Sequence, residues 1–169
     1  KQGLGLINSA PRPGIREMAA QTGLSVGSID VGDISWVLAP RLNAAGRLEH
    51  AMGSYRLLVT DLSEEARQLA IKLGEQNQER QRLTAKYLGK AREQVVAGGI
   101  SPLLMAYDQE YQGGILGLVA GRLASEFYRP SVVVRVGSRS SVGSCRSIPE
   151  FDIIQAISQC RNLLAQFGG

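Results

Sequence analysis

The chain has 169 residues, a formal net charge of +4 and 44% hydrophobic residues, enough for one full domain or for parts of two. Aromatic residues are only 5%, so the core must rest on Leu, Ile, Val and Ala, and the mild positive charge permits nucleic acid as a partner without requiring it. No apolar run reaches the roughly 18 residues of a membrane helix, no secretory segment opens the chain, and Cys145 and Cys160 fit neither a zinc pattern nor a disulfide framework; the expectation is a cytoplasmic protein with reduced thiols and no membrane contact.

Residues 1 to about 60 read as several short helices. Leu4, Leu6 and Ile7 mark a first, broken by Pro11-Arg12-Pro13-Gly14 because proline cannot continue a helix. Ile15 to Thr22 form a second, ended by Gly23. Asp33 is expected to cap a third that carries Ile34, Val37 and Leu38 on one face. Met52 to Val59 form a fourth, with Tyr55, Leu58 and Val59 as its apolar residues.

Ser63-Glu64-Glu65 combines an N-cap with acidic first-turn residues that complement the helix dipole. Ala66, Leu69, Ala70 and Leu73 follow at helical spacing. Residues 74–82 hold no apolar side chain, and the pattern returns with Leu83, Tyr87, Leu88, Ala91 and Val95. With no Pro from Ser63 to Ala97, the spacing predicts one long helix, packed at both ends and wet in the middle. A helical hairpin turning near Gly74 is the alternative.

After Gly98-Gly99 the period changes. Pro102 to Tyr107 reads as a buried strand, Ile115 to Phe127 as a helix, Ser131 to Val136 as a second strand and residues 141–146 as a third. Phe151 to Gln166 is an amphipathic helix pattern. The fold class is therefore α/β: a helical N-terminal part, a long connector helix, and a small α/β domain with a mixed sheet flanked by helices. The chain starts at Lys1 inside an apolar pattern and stops at Gly169 straight after a helical one, so it reads as a fragment of a longer protein.

Three segments look able to hold an anion. In Pro40-Arg41-Leu42-Asn43-Ala44-Ala45-Gly46-Arg47-Leu48, proline restricts the backbone and Gly46 allows an unusual angle before the second arginine. Arg41 and Arg47 offer rigid donor forks suited to phosphate, and Asn43 adds a neutral donor and acceptor. Arg47 is expected at a turn or helix start. The competing reading is a structural arginine paired with Asp33 or Glu49, and spacing leaves both open. The second segment, Gln112 to Leu123 (QGGILGLVAGRL), places glycines between a strand and a helix. Its spacing fits neither a dinucleotide fingerprint nor a phosphate-binding Lys loop, and Gly117 and Gly121 more simply let the helix lie close to the sheet. The third, Gly143-Ser144-Cys145-Arg146-Ser147, surrounds one arginine with hydroxyls able to hold a phosphate or sugar edge; the alternative is a polar hairpin edge with a solvated arginine.

Catalytic residues are not evident. His50 is the only histidine, and Asp30, Asp33, Asp61, Asp108 and Asp152 are scattered. No set of residues is spaced to hold a two-metal centre, and there is no nucleophile elbow.

Four ordered motifs, PRLNAAGRL (40–48), GILGLVAGRL (114–123), GSCRSIPEFD (143–152) and CRNLLAQFGG (160–169), resemble the RecJ single-strand-specific DNA exonucleases of the DHH phosphoesterase superfamily. The resemblance covers essentially the whole chain. It implies a DHH domain whose Asp and His residues bind two divalent metals, usually Mn2+ or Mg2+, a long linking helix, and a DHH-associated domain, with DNA in the cleft between the domains. On that basis residues 1–60 are the end of the DHH domain, 61–98 the connector and 99–169 most of the DHH-associated domain. The chain would then bind no metal itself, and its parent would be a monomeric 5′–3′ exonuclease of DNA repair and recombination. Arg41, Asn43 and Arg47 would face the cleft, and Ser144, Arg146 and Ser147 would contact the DNA end. Gly168 and Gly169 would open a Gly-Gly-His signature whose His is absent, and Gln112 stands where the family usually has His. Alternatives are a phosphodiesterase of short oligonucleotides and a non-catalytic nucleic-acid-binding module.

Overall fold

The computed structural model describes residues 2–168. The chain divides into two compact units, one running to Arg82 and one starting at Leu83.

The first unit is helical. Helix α1 spans Gln2–Ser9 and α2 Pro13–Thr22. Proline opens α2, where its missing N–H is no loss, and Gly23, at φ 72°, closes it with its N–H on Ala20 O. Asn8 ties α1 to the following loop, donating to Ile29 O at 2.8 Å and accepting the N–H of Gly27 and Ile29. Helix α3 (Val31–Asp33) passes through a π-helical turn, Ile34–Leu38, into α4 (Ala39–Leu48), and α5 follows at Met52–Val59. Asp30, not Asp33, is the cap. Its carboxylate accepts the Asp33 N–H at 2.8 Å, and Asp33 Oδ2 accepts the Asp30 N–H at 3.0 Å, a reciprocal pair that satisfies two open donors.

The π turn has a cause in the sequence. Pro40 lacks an N–H, and in a regular helix its ring would strike the Trp36 carbonyl four residues back. Instead the Ala39 N–H reaches five residues back to Ile34 O, which widens the turn. Gly46 lies inside α4 and is not among the positive-φ glycines, Gly23, Gly27 and Gly99; it supplies no unusual backbone angle. The core joins Met18, Leu38, Ala45, Leu57, Ala66, Ala70 and Leu73. On α5 it is Leu57 that is buried, while Tyr55 and Val59 are exposed, one step around the helix from the expected face. Gly14 lies where a Cβ would sit 1.9 Å from the Leu57 carbonyl oxygen, so α2 and α5 cross with their backbones in contact.

Helix α6 runs unbroken over Ser63–Ala97, as the spacing predicts, and there is no hairpin at Gly74. Its polar middle is wet on one side only: Glu75, Gln78, Gln81 and Arg82 are exposed, while Gln76 and Asn77 are buried. Asn77 Oδ1 accepts the Arg80 Nε and Nη2 donors at 3.2 and 3.0 Å.

The second unit is α/β. Strands β1 (Leu104–Asp108), β2 (Ser131–Arg135) and β3 (Val142–Arg146) form one sheet in that order. β1 and β2 are parallel, joined by α7 (Gly113–Phe127), and β2–β3 is an antiparallel hairpin. The register aligns Leu104 with Ser131 and Arg146, and Ala106 with Val133 and Ser144. Strand alternation puts these six on one face. Leu104, Ala106, Ser131 and Val133 are buried there with Ile115, Leu116, Val119 and Leu123 of α7. Buried Ser131 is satisfied by donating to Ala120 O at 2.7 Å. The open edge of β1 is closed by Gln94 of α6, whose amide takes both the Tyr107 N–H (2.9 Å) and its carbonyl (2.8 Å), blunting an exposed strand edge.

Tyr87 of α6 stacks on Tyr111 with ring centroids 5.0 Å apart, and burial pushes the Tyr111 hydroxyl up to about 12. The last helix is shorter than its pattern. α8 covers Ile153–Gln159, capped by Asp152, and gives way to a 3-10 turn at Arg161–Leu163. Leu163 is 84% exposed, so no burial rewards a longer helix.

Candidate nucleic-acid interface

The α4 motif does not form one cluster. Arg41, Asn43 and Arg47 all lie on α4, where residues four apart share a face and residues two apart do not. Asn43 and Arg47 are therefore neighbours on an exposed face. Arg41 points elsewhere: it is half-buried, and its Nη1 donates to Val37 O at 2.6 Å, with burial lowering its pKa. That carbonyl belongs to the π turn, so Arg41 stabilises a distortion caused by Pro40. Arg47 stands in the last turn of α4, not at a helix start, and there a positive charge suits the helix dipole. Glu49 meets Lys72 Nζ at 3.2 Å and Asp33 joins the Asp30 box, while Arg47 has an interaction of its own within the fold.

The second and third motifs do come together. Alternation along β3 directs Ser144 and Arg146 to the face covered by α7. A Cβ on Gly117 would stand 2.8 Å from Arg146 Nη2 and 3.1 Å from Ser144 Oγ, and one on Gly121 3.9 Å from Arg146 Nε. Two glycines one helical turn apart thus form a trough in which the guanidinium lies against the helix. Arg146 Nη1 donates to Cys145 O at 2.7 Å and to Ser144 Oγ at 3.3 Å, which fixes the fork. Gly117 and Gly121 were read as spacers between helix and sheet; what they admit is one arginine side chain.

Arg146 borders two grooves. A shallow one of about 670 Å³ runs between α6 and α7, lined by Leu88, Arg92, Leu118, Arg122, Ser125 and Glu126. A smaller one of about 260 Å³ is lined by Tyr128, Ser147, Ile148 and Pro149. Arg92 is held by Glu126 at 2.6 Å. Tyr128, the one non-glycine described with positive φ (48°), donates its hydroxyl to Glu150 at 2.7 Å, and that bond raises its pKa. Sequence reasoning missed Arg92, Arg122 and Tyr128 as site residues. The signal for Arg122 was present, since it follows Gly121 within the second motif, but only the fold shows that it lines a groove with Arg146.

Of the remaining candidates, Ser147 uses its hydroxyl to accept the Ile153 N–H at 3.1 Å, so it also holds the start of α8. Gln112 is the N-cap residue of α7 and makes no side-chain cap bond. Gly168 is exposed, and Gly169 lies outside the described residues. Among the described residues no three His, Cys, Asp or Glu side chains gather as metal ligands. Among the same residues no helix is long and apolar enough to cross a membrane.

No protein-family model matches the chain. It is 34% identical over 170 residues to the single-stranded-DNA-specific exonuclease RecJ of Bacillus subtilis, covering 99% of this chain and 22% of that protein. The RecJ of Thermus thermophilus is 32% identical over 169 residues, 100% of this chain and 24% of the relative. Among solved structures, Thermus thermophilus RecJ with Mg2+ superposes with a TM-score of 0.87 at 31% identity, over 99% of this chain and 26% of that one. A RecJ bound to manganese gives 0.80 at 28% identity, over 99% and 41%. The chain thus spans about a quarter of the curated relatives it matches.

Proposed function

Because the chain is RecJ-like in sequence and fold along its whole length, we propose that it is a strand-holding portion of a single-stranded-DNA-specific exonuclease. It grips phosphates and leaves the metal-dependent hydrolysis to residues elsewhere in the parent protein. The observation that carries this reading is the Arg146 trough: a guanidinium fixed by Ser144 Oγ and Cys145 O against two glycines. Such a fork is pre-oriented for a phosphate oxygen, so little rotamer freedom is lost on binding. Ser144 lies beside it, and Asn43 and Arg47 supply a second exposed pair on α4. Arg41 is half-buried with Nη1 held on Val37 O, and its remaining donors could meet a phosphate only on a different side of α4 from Asn43 and Arg47.

The relatives' structures with Mg2+ and Mn2+ support a divalent metal in the parent, where it would supply an activated water and charge neutralisation for phosphodiester cleavage. Within this reading residues 1–60 end the DHH domain, α6 is the connector, and residues from 99 belong to the DHH-associated domain of a cytoplasmic, monomeric enzyme.

The test is direct. The 169-residue chain should bind a 12-nucleotide oligo-dT in a salt-dependent way and release no mononucleotide from it when Mn2+ is supplied. Nucleotide release by this chain alone would overturn the division of labour.

A further inference from the structure

We propose that the groove between α6 and α7 is a second nucleotide seat, with Arg122 as its phosphate contact. It adjoins the Arg146 trough and deepens the reading above, on which it rests. Three features of the groove carry the inference.

Its extent is suitable: the groove is open and shallow, and its volume of about 670 Å³ lies within the range of small-ligand sites. Its charge is also suitable. Three guanidinium groups (Arg92, Arg122, Arg146) border it against one carboxylate, Glu126. That carboxylate is already neutralised by Arg92, through bonds of 2.8 and 2.6 Å, leaving two positive charges to face a bound anion. Third, the walls divide by chemistry. Half-buried Leu118, above the buried Leu88, offers apolar surface to a sugar or base, while Arg122 and Ser125 stand one turn apart on α7 as polar contacts.

Arg122 itself is exposed, and no hydrogen bond or ion pair ties it to another of the described residues. A structural arginine such as Arg41 or Arg92 is anchored by its neighbours; Arg122 is not. Because Arg146 borders the trough and the groove alike, a strand whose one phosphate lies on Arg146 would lay the adjacent nucleotide in the groove. The class of ligand is a single-stranded oligonucleotide of at least two phosphates, held by its backbone with the base tolerated in any identity.

The experiment is a length series, pdT, pdTpdT and pdTpdTpdT, titrated by calorimetry against the 169-residue chain and its Arg122→Gln and Arg146→Gln variants, with circular dichroism as the check on folding. The expected wild-type result is a step of about tenfold in affinity from one to two phosphates. Arg122→Gln should remove that step and leave pdT affinity within about twofold, while Arg146→Gln weakens every ligand. Ser125→Glu, which leaves Arg122 in place, should also remove the step by repulsion. If Arg122→Gln keeps the wild-type length dependence, the second seat is wrong while the Arg146 contact stands. If the wild type binds none of the three ligands, both readings fall.

Discussion

The helical unit and the α/β unit both contain a glycine at which no Cβ would fit, and the two close approaches serve different ends. At Gly14 the obstructing atom is the Leu57 backbone oxygen, 1.9 Å from the built Cβ; at Gly117 it is the tip of Arg146, at 2.8 Å. A backbone cannot move away without separating α2 from α5, whereas a side-chain tip can. The first glycine is therefore about assembling a core and the second about seating one arginine side chain. Position in a fold, not residue type, separates the two roles.

The largest expected effect exploits that difference. Gly14→Ala should cost about 3 kcal/mol or more of stability, because overpacking against backbone cannot relax cheaply. Gly117→Ala should cost less than about 1 kcal/mol yet weaken single-stranded DNA binding by turning Arg146 out of its trough. Chemical denaturation of both variants, with binding measured on Gly117→Ala, checks the contrast. Equal losses of stability would erase it.

A second contrast lies within α4. Arg47→Ala should weaken binding to single-stranded DNA by about 1.5–3 kcal/mol, the worth of a charge-assisted contact, an effect larger than its cost in stability. Arg41→Ala should do the reverse, costing about 1 kcal/mol of stability because the Val37 carbonyl loses its donor. Matching effects in the two variants would restore the single-cluster reading of this segment.

Part of this was legible in the chain. The limits of α6 follow from Ser63, the acidic first turn and the absence of proline, and the alternation of period after Gly99 gives the mixed sheet. The α8 pattern misled because periodicity reports only which residues could share a face. Leu163 and Leu164 have the spacing but remain exposed, and a short helix is not sustained without burial. The anion-binding segments show a different limit. Contiguity suggested that Arg41 and Arg47 act together, yet helical geometry separates them. Arg146 and Gly117 are 29 positions apart in the chain, and strand register brings them into contact.

The smallest expected effect concerns pH. In the α/β unit, the Glu110 N–H and then Lys90 hold the Asp108 carboxyl below its usual range, and Lys90 and Lys86 do the same for Glu110. In the helical unit the Thr60 hydroxyl and then Arg56 depress Glu65. A depressed carboxylate stabilises the fold above its unfolded pKa of about 3.9–4.3. That contribution is lost as pH falls through the lower folded value. Thermal unfolding should therefore show a modest drop in Tm from pH 5 downwards, and a flat Tm to pH 2.5 would show that these pairs contribute nothing.

The most direct measurement is the salt dependence of oligo-dT binding by the wild type and by Arg146→Ala. If the guanidinium in the glycine trough meets a phosphate, affinity falls and the slope of log K against log salt decreases in magnitude by about 0.7, the value for one contact on a single strand. An unchanged slope with unchanged affinity would contradict the account and leave Gly117 and Gly121 as packing residues beside a solvated arginine.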